Sequence, residues 1–87
     1  MKTLKELKKM KGKILSYEQF DNFLDSLMDL GFGAVEYKEE EIGNLKFRRI
    51  LDYAKDNGER IIIKYIKEYT NGDIRIQIED IKYKRQN

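Results

Sequence analysis

The chain has 87 residues and a mass of 10.5 kDa, the size of one domain with a small hydrophobic core. Hydrophobic residues make up 40% and charged residues 39%, split into 18 basic and 16 acidic side chains, which suits a folded, solvated surface better than a disordered polyelectrolyte. Cys and His are both absent, which excludes thiol nucleophiles, imidazole bases, disulfides and Cys- or His-based metal sites.

Charge is distributed in blocks. Residues 1–13 carry six lysines against Glu6, residues 14–42 carry eight acids against Lys38, and residues 43–87 carry eleven basic and seven acidic side chains. Such segregation lets a small protein present an acidic and a basic face. No apolar run approaches the ~18 residues of a membrane span, and no signal-type segment follows the basic start. A cytoplasmic protein with no cofactor and no membrane partner is therefore expected.

In chain order, residues 1–13 form a basic arm or a short helix, with Leu4, Leu7 and Met10 at three-residue intervals before Gly12. The main helix is predicted at Tyr17–Leu30. Ser16 followed by Gln19 makes a capping-box pattern, and Gly31 and Gly33 around Phe32 supply the stop. Its apolar stripe is Tyr17, Phe20, Phe23, Leu24, Leu27, Met28 and Leu30. Glu18, Asp21, Asp25 and Asp29 line the opposite face.

Gly43-Asn44, Asn57-Gly58 and Asn71-Gly72 recur every fourteen residues, and such pairs favour tight hairpin turns that need positive φ. They predict a four-stranded antiparallel meander at about 34–42, 45–55, 60–69 and 73–83. The class is α+β, one helix packed on that sheet, an arrangement that resembles cystatin-like folds in architecture alone, with no cystatin motif present. The last hairpin would pair Tyr69 with Ile74, Glu68 with Arg75, Tyr65 with Ile78 and Lys64 with Glu79, and a bulge at Glu79-Asp80 restores the inward phase for Ile81 and Tyr83. The first hairpin would pair Glu41 with Lys46, Glu39 with Arg48 and Tyr37 with Ile50. The alternative makes 44–57 a helix through Phe47, Ile50, Leu51 and Ala54, giving an α-β-α-β-β order.

The meander places Val35, Tyr37, Ile50, Ala54, Ile61, Ile63, Tyr65, Tyr69, Ile74, Ile76 and Ile78 toward the helix. The second face then holds Phe47, Leu51, Tyr53, Ile62 and Ile66 among Arg49, Lys64 and Arg75. Apolar side chains ringed by cations form a candidate partner-binding face, unless Leu4, Leu7 and Met10 of the arm cover it.

No nucleotide, metal or nucleophile motif is present, and an enzyme is not expected. Two binding functions remain. In the first, Glu18, Asp21, Asp25 and Asp29, extended by Glu36, Glu39, Glu40 and Glu41, occupy a basic surface that otherwise takes phosphates. The chain would then be a small inhibitor or adaptor of a larger protein or nucleoprotein complex. Motif-free Lys/Ile/Glu-rich chains of this size are typical of phage and mobile-element accessory proteins, anti-CRISPR-like or other anti-defence inhibitors among them. In the second, the chain binds nucleic acid or regulates transcription, using the lysine arm from Lys2 to Lys13, the tail Lys82, Lys84 and Arg85, and Arg49, Lys64 and Arg75 around Tyr53. A homodimer through the sheet face is a third arrangement.

Overall fold

The computed structural model describes residues 4–85, so Lys2 of the basic arm lies outside the described residues. The elements run α1 (Leu4–Lys8), β1 (Ile14–Ser16), α2 (Tyr17–Asp29), β2 (Gly33–Gly43), β3 (Lys46–Ala54), β4 (Arg60–Thr70) and β5 (Asp73–Lys84). All five strands join one antiparallel sheet in the order β1-β5-β4-β3-β2, and the slab measures 43 × 25 × 18 Å. The α+β class and the meander stand. Residues 46–54 are strand, which removes the helical alternative for 44–57.

The main helix forms as its sequence directs. The Ser16 side chain accepts from the Gln19 N–H at 3.1 Å while the Gln19 side chain accepts from the Ser16 N–H at 3.0 Å. At the far end the Phe32 N–H donates to the Leu27 carbonyl at 3.1 Å and the Gly31 N–H to the Met28 carbonyl at 2.9 Å. This Schellman geometry needs φ of +97° at residue 31, where a side chain would strain the backbone. Phe20, Phe23 and Leu27 point into the core; Tyr17 and Met28, expected in the same stripe, are exposed.

The fifth strand is the element absent from the sequence reading. Ile14–Ser16 pairs with Arg75–Gln77, and the Gly12 N–H donates to the Ile78 carbonyl at 2.7 Å. This stitch carries α1 to the helix side of the sheet. Leu7 is fully buried there, and Leu4 and Met10 pack against the same core. The arm therefore does not cover the outer face.

Strand β3 is displaced by one residue from its expected register. The first turn uses Asn44-Leu45, with Leu45 at φ +55°, so Glu39 meets Arg49 and Tyr37 meets Leu51. The next loop is five residues long and leaves Ala54 opposite Arg60. A one-residue slip exchanges the two faces of a strand. Phe47, Arg49, Leu51 and Tyr53 therefore share the inner face with Ile61, Ile63 and Tyr65, whereas Ile50, Asp52 and Ala54 face outward. The physical reason is burial: the odd-numbered set holds three large apolar side chains, the even-numbered set Lys46, Arg48 and Asp52.

The last hairpin keeps its expected pairs, turning through Asn71 (φ +37°) and Gly72 (φ +85°) with Tyr69 opposite Ile74, Glu68 opposite Arg75 and Tyr65 opposite Ile78. The bulge falls on Glu79, so Lys64 meets Asp80 and not Glu79, and Ile81 returns to the core.

Candidate protein-binding surface

The inner face of the sheet is covered unevenly. Helix α2 lies over β1 and β5, and the buried core gathers Phe20, Phe23 and Leu27 with Ile61, Ile63, Tyr65, Ile76 and Ile78. A helix of 13 residues is ~20 Å long and ~10 Å wide. Five strands of up to 12 residues span roughly 19 Å by 35 Å or more. One helix cannot cover that area, and β2 with the distal half of β3 remains bare.

On the bare half, every residue of β2 is exposed except the half-buried Ile42. Val35 is 63% exposed, Tyr37 52% and Leu45 54%. Beside them Phe47 meets Tyr69 edge-on, their ring centroids 6.2 Å apart. The Arg49 guanidinium lies over the Tyr37 ring at 5.4 Å and binds the Glu39 carboxylate at 2.6 Å. Burial opposes the charge on Arg49, but hydrogen bonds to Tyr65 and Glu39 more than offset it and hold the pKa above the usual value. The same contact with Arg49 holds the Glu39 carboxyl below the usual carboxylate range. At the border with the covered half, the Lys67 ammonium sits 5.8 Å from the Tyr17 ring and 5.2 Å from the Tyr69 ring.

The expected sheet site is thus divided between two faces. Phe47 and Arg49 lie on the bare inner half, while Leu51 packs against the core and Tyr53 is buried in it. Ile62, Lys64, Ile66 and Arg75 lie on the outer face, where Arg48 pairs with Glu79 at 2.9 Å and Arg60 with Asp52. Depressions on that face, around Ile50 and Ile62, enclose 170 to 260 Å³, below the about 300 Å³ at which small-molecule pockets begin.

The acidic residues fare differently. Glu18, Asp21, Asp25 and Asp29 are all exposed along α2. Glu39 and Glu41 share the inner face of β2, but across from Glu41 stands Phe47 and not a lysine. The exposed Tyr17, Tyr37 and Tyr69, with the buried Lys67 between two of these rings, were not expected at a surface site; comparing the area of one helix with that of the sheet is the signal that finds them. No described helix is long and apolar enough to cross a membrane. Comparison with family models, with curated proteins and with solved structures finds no match.

Proposed function

We propose that this chain is a non-enzymatic protein-binding module, an inhibitor or adaptor that docks on a larger protein through the bare half of its sheet and the carboxylates around it. The observation that carries this reading is the concentration of exposed aromatic rings (Tyr17, Tyr37, Tyr69) on one half-face rimmed by Glu39 and Glu41, with exposed Val35 and Leu45 at its bulge and turn. Aromatic anchors inside a polar rim are the anatomy of protein interfaces. The acidic array favours a partner with a basic surface, in which Glu18, Asp21, Asp25 and Asp29 of α2 occupy positions otherwise taken by phosphates. An anti-defence inhibitor of phage or mobile-element type fits this role in size and composition.

The test is capture of partners from host extract by the intact chain and two folded variants. Tyr37→Ser with Tyr69→Ser should lose the partner, and Asp21→Asn, Asp25→Asn, Asp29→Asn should weaken it in a salt-dependent manner. Undiminished capture by both variants overturns the reading.

Nucleic-acid binding is the second reading, favoured by one observation: Arg49 over Tyr37 and Lys67 between Tyr17 and Tyr69 combine cations with aromatic faces on which bases stack. Glu36, Glu39, Glu40 and Glu41 oppose it by repelling phosphates. A gel shift with single-stranded oligonucleotide that fades steeply with added salt would establish it, and no shift at low salt dismisses it.

A further inference from the structure

We infer that β2 accepts an extended basic segment of a partner protein as a sixth strand of the sheet. The inference rests on the protein-binding reading above and specifies how the partner attaches. The two edges of the sheet differ in kind. At one, β1 is only three residues long and covers Arg75 to Gln77 of β5, and the stretch of β5 beyond it is broken by the bulge at Glu79. At the other, β2 runs for 11 residues, pairs with β3 alone, and presents the outward half of its backbone N–H and C=O groups along an exposed strand.

Two irregularities delimit the usable stretch. The register shifts at Val35 and again at Ile42, while Glu36 to Glu41 pair one-to-one with Asp52 to Phe47. Between these bulges the pairing is regular, so the ladder can be continued on the open side. Its sequence is Glu36-Tyr37-Lys38-Glu39-Glu40-Glu41, four carboxylates against one ammonium.

That charge selects the occupant. A second copy adding antiparallel about Lys38 would set Glu36 against Glu40 at two places and crowd four further carboxylates of the two strands along one seam, which opposes self-addition in that register. An incoming strand with Lys or Arg opposite Glu41, Glu40, Glu39 and Glu36 would find a counter-ion at each, at Glu39 and Glu36 a carboxylate shared with Arg49 and Lys38. A β-branched residue opposite Tyr37 would extend the bare inner face beside Arg49 and Phe47. Main-chain pairing would supply adhesion and alternate side chains the selectivity, the usual division in strand addition.

The probe is the end-blocked, fluorescently labelled peptide Lys-Lys-Arg-Thr-Val-Lys, followed by anisotropy with the full chain. Two further versions carry N-methyl groups on alternate residues, in opposite phase. An added strand donates only every second N–H inward, so one methylated version should bind within about threefold of the parent and the other should lose about tenfold or more. Glu40→Lys with Glu41→Lys, both exposed, should weaken the parent peptide by about tenfold or more with an unchanged circular dichroism melt. Absence of parent binding overturns the inference. So does equal binding of both methylated versions, which would reduce the contact to charge alone, and so does sedimentation as a dimer that excludes the peptide. Partner capture that depends on Tyr37 and Tyr69 while the peptide fails would sink strand addition and leave the protein-binding reading intact.

Discussion

One face of one sheet carries two regions with different tasks. Over β1, β5 and β4 the inner face is closed beneath Phe20, Phe23 and Leu27, and Ile61, Ile63, Ile76 and Ile78 are at most 1% exposed. Over β2 and the distal part of β3 the same face carries exposed Tyr37, Glu39 and Glu41 beside half-buried Phe47 and Arg49. The composition follows the cover. Large aliphatic side chains stabilise a fold chiefly when buried, whereas Tyr37 and Arg49 combine apolar or planar bodies with polar tips and tolerate water. The covered half closes the core, and the bare half leaves aromatic and charged side chains at the surface.

The largest separation between the halves should appear in stability. Phe23 is fully buried, so Phe23→Ala is expected to destabilise by about 3–5 kcal/mol in denaturant unfolding. Tyr37→Ala, on the bare half, should stay within about 0.5 kcal/mol. Comparable losses at the two sites would erase the distinction. Next in size, Ser16→Ala removes the cap that seats α2 and should cost about 1 kcal/mol, read from the same transition. Hydrogen exchange sharpens the contrast further. Amides of β4, flanked on both sides, should exchange only with global unfolding, and the outward amides of β2 should exchange by local fluctuation.

The smallest expected effect is on pH dependence. Arg49 holds Glu39 low, and hydrogen bonds from Tyr83 and Asn57 do the same for Glu59. Native pKa values below the unfolded ones mean that the native state releases these protons more readily. The contribution is complete above the unfolded value of about 4.3 and is lost as pH falls through the folded values. The urea midpoint should therefore drop on acidification below about pH 4–5, and Glu39→Gln should flatten part of that slope. A slope unchanged by Glu39→Gln would mean that the Arg49 contact on the bare half is too solvated to matter.

How much of this was legible depends on where the signal is local. The Asn71-Gly72 turn and its flanking pairs, the Ser16–Gln19 cap and the Gly31 stop are each encoded within a few residues, and each appears as read. The phase of strand β3 was not, because it is set by burial of Phe47, Leu51 and Tyr53, across a first turn at Asn44-Leu45 in place of Gly43-Asn44 and a five-residue loop around Asn57-Gly58. That slip split the expected site, sending Phe47 and Arg49 to the bare inner half and leaving Lys64 and Arg75 behind. Strand β1 was hidden for another reason: three residues carry no periodicity, and their partners Arg75 to Gln77 lie far away in the chain. The exposed acids of α2 needed only helical spacing and were read correctly as a surface stripe.

The stitch between β1 and β5 also dictates an order of events during synthesis. Helix α2 is made early, yet the strands beneath it are completed by β5, and the strand before it has no partner until Arg75 to Gln77 emerge. A nascent chain halted before β5 would hold an amphipathic helix with its greasy stripe unsheltered. The β2–β3 hairpin can pair before β5 is present, but the core beneath α2 closes only when β5 joins the sheet.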